Sequence, residues 1–131
     1  MSRFFDTNVL VYAYTLDDWR NDIAAELLSG GGVASVQVLN EFANVATRKF
    51  HWTWPSISEK LAHVRLKLTP ILPISIETHL AALNLAALHG LSFYDALIVA
   101  SALEASCDEL ITEDLQAGRR FDRLTIRNPF R

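Results

Sequence analysis

Asp6, Glu41, Asp95 and Asp114 lie far apart in the chain, and each stands where a carboxylate could do chemistry. Asp6 closes a short apolar run at the end of a first strand. A lone buried charge there costs several kcal/mol unless it is paired or bound to metal. Asp114 follows a second apolar run and also stands at a carboxyl strand end. Asp95 is the only charge between His89 and Glu104, in a segment apolar nearly all round. Glu41 shares the polar face of a helix with Gln37, Asn44 and Arg48. If these acids converge, their mutual repulsion raises their pKa values or unfolds the site. A hard, oxygen-loving cation such as Mg²⁺ or Mn²⁺ removes that penalty. Two such ions about 4 Å apart can activate water and stabilise a leaving oxygen in phosphodiester hydrolysis. Each acid also has a plainer reading. Asp6 could cap the next helix, as Thr7 could, and Ser92-x-x-Asp95 has the spacing of a capping box. Asp114 could answer a helix dipole, and Glu41 could simply be solvated.

The elements that must position these acids alternate. Apolar runs at 3–6, 33–35, 71–74, 109–112 and 124–127 read as strands. Helical patterns cover 9–14, 21–28, 36–49, a stretch from Ser56 to about Leu68, 76–89, and 92 to about 106. Gly30-Gly31-Gly32 stops one helix and Gly90 another. Ser56 with Glu59 three residues later predicts a capping box. Such alternation predicts a three-layer α/β/α sandwich around a central, mostly parallel sheet of four to five strands. In open parallel sheets, sites form beyond the carboxyl ends of the strands, and that rule would bring the four acids to one rim.

Composition narrows the classes. The 131 residues fit one domain, 1–131, and the 50% hydrophobic content supports a real core. No apolar run reaches the roughly 18 residues of a membrane span, and the N-terminal stretch makes a poor signal peptide. The single Cys107 excludes an internal disulfide and favours a reducing, cytoplasmic location. The four histidines show no zinc spacing. The net charge of −3 argues against nucleic acid at first sight, yet five arginines follow from Arg119 onward against one acid, Asp122. A basic C-terminal segment beside an acidic pocket would suit a phosphate substrate, whereas the same arginines could merely solvate a surface. The aromatic segment around Trp52 and Trp54 could stack RNA or anchor a partner, and packing onto the body is the reading preferred here.

The stretches FFDTNVLVYAY (from Phe4), SVQVLNEFANVATRK (from Ser35), LSFYDALIVASA (from Leu91) and LITEDLQAGRRFDRLTIRNPF (from Leu110) resemble, in this order, those of PIN-domain ribonucleases, and more narrowly the VapC toxins of type II toxin–antitoxin modules. The resemblance covers almost the whole length. It places the family's four acids on Asp6, Glu41, Asp95 and Asp114. Of these, Asp6, Asp95 and Asp114 would ligate metal, with Glu41 a ligand or an orienter of water. Asn8 and Thr112 match supporting polar positions, and Glu113 falls between the last two motif residues. Arg48 could touch RNA phosphate. The resemblance implies a Mg²⁺- or Mn²⁺-dependent endoribonuclease acting on tRNA or other structured RNA. It also implies a homodimer and an antitoxin partner. A phospho-acceptor signalling domain would need paired early acids and a lysine near the last strand, and none of Lys49, Lys60 and Lys67 lies there. A non-catalytic RNA-binding protein and a deoxyribonuclease of the same fold remain the competing readings.

Overall fold

A computed structural model describes residues 2–131. Strand β1 (Arg3–Phe5) leads into the short helix α1 (Thr7–Tyr12), followed by α2 (Asn21–Ser29) and β2 (Gly32–Ser35). Next come α3 (Val36–Phe50), α4 (Trp54–Lys67) and β3 (Leu68–Leu72). An α5 (Ile76–His89) and α6 (Phe93–Glu104) hairpin precedes β4 (Glu109–Ile111), β5 (Arg120–Phe121) and β6 (Leu124–Arg127).

The sheet order is β3-β2-β1-β4-β6-β5, parallel throughout except for β5, which runs antiparallel to β6. This is the expected mostly parallel α/β sheet, with one strand more than expected. The added β5 is two residues long, too short to leave a periodic signal. The chain builds outward from β1 through β2 to β3, then crosses to build β4 and β6 on the other side. β1 and β4 therefore flank the switch point, where α/β sheets open a crevice.

Strands and helices close over a main core, and a smaller apolar cluster around Ala82, Ala96, Leu97 and Ala100 joins α5 to α6. Phe4, Phe5, Leu110 and Ile111 of the central strands are fully buried, as expected for a parallel sheet covered on both faces. Helix α6 packs on β2 and β4, and α3 packs on β2, α1 and α4. On α3, Val38, Phe42 and Ala46 are fully buried, four residues apart, so the opposite face with Glu41 looks outward. Gly32 has a tight role, because a Cβ there would lie 2.8 Å from the Arg3 carbonyl and 2.7 Å from the Phe5 ring. No single described helix is long and apolar enough to cross a membrane, and the apolar α5–α6 pair bends by 118°.

Two expectations at element boundaries are corrected. Helix α4 begins at Trp54, because Thr53 is the cap: its side chain accepts from the Ser56 N–H at 3.3 Å, and Pro55 sits in the first turn. Ser56 instead receives the Lys60 ammonium at 2.6 Å. Strand β3 begins at Leu68, three residues before its expected start. Leu68 is fully buried and pairs with Gly32, while Pro70 is tolerated because β3 is an edge strand. A third feature, the Ser75–Thr78 capping box of α5, was not anticipated.

Trp52 packs on the core, stacked against Phe50 at 5.2 Å with the Lys60 ammonium over its ring at 4.6 Å. Trp54, by contrast, is exposed. Packing is thus the role of Trp52 alone. For α4, Thr53→Ala should cost about 1 kcal/mol in urea denaturation, and Ser56→Ala clearly less; the reverse order would contradict the cap assignment.

Candidate metal centre

The carboxyl ends of β1 and β4 place Asp6 and Thr112 side by side. Phe5 pairs with Ile111, and the Asp6 N–H donates to the Ile111 carbonyl at 3.0 Å. One Asp6 oxygen accepts from the Thr112 hydroxyl at 2.8 Å, and the other from the Thr7 N–H at 2.7 Å. Asp6 therefore caps α1 from the end of β1, which leaves its functional reading open. The Thr112 oxygen in turn accepts from the Asp114 N–H at 3.1 Å, which fixes the turn carrying the second acid. Asn8 donates to Asp114 at 3.5 Å.

The other two acids arrive on helices. Ser92 caps α6 by accepting from the Asp95 N–H at 3.3 Å. Among the described residues, the Asp95 carboxylate returns no bond to Ser92, so only half of the expected capping box forms and the carboxylate is left for the rim. Glu41 accepts from the Thr7 hydroxyl at 2.8 Å and from Gln37 at 3.3 Å, one bond on each oxygen. Asp6, Glu41, Asp95 and Asp114 line a single cavity of about 250 Å³, together with Asn8, Asn44 and Arg48.

Burial pushes the Asp6 carboxyl up from 3.8 to about 7, with the charges of Asp114 and Glu41 adding to it. The Thr112 and Thr7 hydrogen bonds only partly offset this. Asp114 is also pushed up, by burial first and then by the charges of Glu113 and Asp95. Four carboxylates, with the pKa values of Asp6 and Asp114 held above their ordinary range, meet a single cation, Arg48, so negative charge is in excess. The site's oxygen donors fit a hard divalent cation. Among the described residues, no three acidic, histidine or cysteine side chains lie close enough together to hold a metal ion as they stand.

Glu113 and the C-terminal arginines fall elsewhere than expected. Glu113 turns away from the cavity: it accepts from the Tyr12 hydroxyl and, at 3.3 Å, from Arg20, whose guanidinium lies 3.8 Å from the Tyr12 ring centroid. Only its charge reaches Asp114. The C-terminal arginines do not line the cavity either. Arg127 pairs with Glu109 at 3.5 Å, and Arg119 binds the His89 carbonyl at 3.1 Å. The cation that does line it is Arg48. Thr7, which appeared in the sequence only as an alternative cap, is the residue that joins Glu41 to the Asp6 loop. Its place directly after a strand-end acid was the available signal.

The raised Asp6 pKa fixes a sign for stability. The folded protein holds this proton more tightly than the unfolded chain, so stability tied to it is complete below about 4 and is lost as pH rises through about 7. In metal-free protein, urea midpoints should fall across that window, and Asp6→Asn should flatten the fall. Identical pH slopes in both proteins would contradict the burial argument.

Comparison with known proteins bears on the fold that carries this geometry. No match was found among curated proteins. Among solved structures, a toxin–antitoxin complex from Klebsiella pneumoniae is similar at TM-score 0.70 and 22% identity, covering 98% of each chain. VapBC2 from Rickettsia felis, bound to a DNA fragment from its promoter, is similar at TM-score 0.69 and 23% identity, again covering 98% of each chain. VapC20 from Mycobacterium tuberculosis, described as a sarcin–ricin loop cleaving toxin, is similar at TM-score 0.69 and 20% identity, covering 83% of this chain and 87% of that one. At these identities the likeness is one of fold. The PIN domain family model matches residues 3–124, and the chain belongs to the PIN domain family.

Proposed function

We propose that this protein is a Mg²⁺- or Mn²⁺-dependent endoribonuclease of the VapC kind, the toxin of a toxin–antitoxin module. The observation that carries the reading is the meeting of four carboxylates from four separate elements around one cavity, with the innermost, Asp6, held well above its ordinary pKa. Asp6, Asp95 and Asp114 would hold the cation, and Glu41 would complete the set or orient the attacking water. A divalent cation bound there lowers the pKa of water and offsets charge on a phosphate.

The chain's own groups supply the rest. Thr7 and Gln37 each donate to one Glu41 oxygen, so the carboxylate is held in one orientation. Thr112 positions both strand-end acids, and Asn8 steadies Asp114. Arg48 offers a guanidinium to the phosphate of the incoming RNA. RNA is favoured as substrate by the sarcin–ricin loop activity named for VapC20. An antitoxin partner is favoured by the complexes from Klebsiella pneumoniae and Rickettsia felis. Action on RNA inside the cell agrees with a cytoplasmic protein whose one cysteine is buried and free.

The homodimer belongs to the same reading. Helix α5 leaves Ile76, Leu80 and Leu83 exposed along one side, at 64%, 53% and 46%. Such a stripe matches the apolar core of an interface between two copies.

Purified protein should cleave structured RNA with Mn²⁺ or Mg²⁺, and EDTA should stop it. Asp6→Asn and Asp95→Asn should abolish cleavage with circular dichroism unchanged. Thr112→Val should weaken metal binding about 10- to 100-fold. Full activity in either Asp variant would reject the site. In sedimentation, the protein should run at twice its 14.7 kDa chain mass, and Leu80→Glu with Leu83→Glu should run as a monomer; an unchanged dimer would move the interface elsewhere.

A further inference from the structure

A second groove, of about 720 Å³, opens directly beside the acid cavity and shares Glu41, Asn44 and Tyr94 with it. One wall is the outer face of α3. Val36, Asn40 and Asn44 recur every four residues along it, all exposed, spanning about 12 Å at 1.5 Å per residue. The buried Val38, Phe42 and Ala46 hold that face rigid from behind. Among the described residues, neither the Asn40 nor the Asn44 side-chain amide makes a hydrogen bond, so each keeps its donors and acceptor for a ligand. In the same wall, Gln37 commits its Nε2 to Glu41, and its enclosed Oε1 has no partner. Opposite stands Tyr94, 64% exposed on the first turn of α6, its ring braced edge-on by Phe93 at 5.6 Å. Ile74 closes the far end. Arg48 lines the acid cavity and does not line this groove, so the positive charge that attracts phosphate is confined to the cavity.

An aromatic face beside free amides, continuous with a phosphate-cutting site yet without a cation of its own, is complementary to a nucleobase and not to a phosphate. We propose that this groove is a base-recognition subsite: the unpaired base next to the phosphate in the acid cavity stacks on Tyr94, and its edge is read by the Asn40 and Asn44 amides. The assignment rests on the ribonuclease reading and adds a specificity-determining surface to it.

The test is fluorescence anisotropy of labelled single-stranded RNA oligonucleotides with the full chain in Ca²⁺, run beside cleavage of the same oligonucleotides in Mn²⁺. Tyr94→Ala should weaken RNA binding about 5- to 150-fold, the range of one stacked base, and Tyr94→Phe should restore it. An abasic ribose at one position should weaken the unmodified protein by a similar factor and leave Tyr94→Ala unaffected. Asn40→Ala should flatten discrimination among the four bases at that position. Unchanged RNA affinity in both alanine variants would overturn the subsite and hand the groove to a protein partner. A Tyr94→Ala loss that persists at every abasic position, or no RNA affinity in the unmodified protein, would overturn it as well. Base-dependent binding without cleavage would sustain the subsite and reject the nuclease. Cleavage with binding indifferent to Tyr94 would reject the subsite and leave the nuclease standing.

Discussion

One hydroxyl ties the candidate site together. Thr112 donates to the buried Asp6 carboxylate and accepts from the Asp114 N–H, so it joins the acids that follow β1 and β4. The sheet makes this contact unavoidable, because the pairing of Phe5 with Ile111 puts the next residues of both strands in register. Asp6 consequently lies where water cannot solvate it and its two hydrogen bonds do not fully compensate. A cavity whose central acid has its pKa raised by burial would be stabilised by a bound cation.

The remaining site residues follow from how the helices meet that rim. The chain reverses its direction of growth at β1, so the crevice opens between the two strands that carry Asp6 and Asp114. Helix α6 starts at the same edge because Ser92 caps it there, which delivers Asp95. Helix α3 runs past with its buried face against the sheet, and its outward face presents Glu41, Asn44 and Arg48 in successive turns. Thr7 then joins α3 to the Asp6 loop. Four weakly constrained acids become one site because every element bearing them is fixed by the core beneath.

Much of this was legible in the residues alone. The alternation of short apolar runs with helical periods specified the parallel sheet, since burial on both faces demands it. Asp6, Asp95 and Asp114 stand out because strand ends and an all-apolar helix are unusual places for charge, whereas Glu41, on an ordinary polar helix face, is singled out only by the family resemblance. What stayed hidden depended on partners distant in sequence. The outward turn of Glu113 is set by Tyr12 and Arg20, which nothing local announces. The C-terminal arginines looked like part of the site because charge can be counted without knowing direction, whereas Arg119 and Arg127 are engaged elsewhere. The start of α4 was misplaced because two hydroxyl residues, Thr53 and Ser56, compete for one cap, and Pro55 settles the choice only once its place in the first turn is seen.

The central claim is that the cavity binds a divalent cation through the strand-end acids. Its most direct test is a Mn²⁺ titration followed by electron paramagnetic resonance of the free ion. The account predicts saturable uptake by the unmodified protein, lost together in Asp6→Asn and Asp114→Asn while both remain folded. Uptake of Mn²⁺ undiminished in both variants would contradict it.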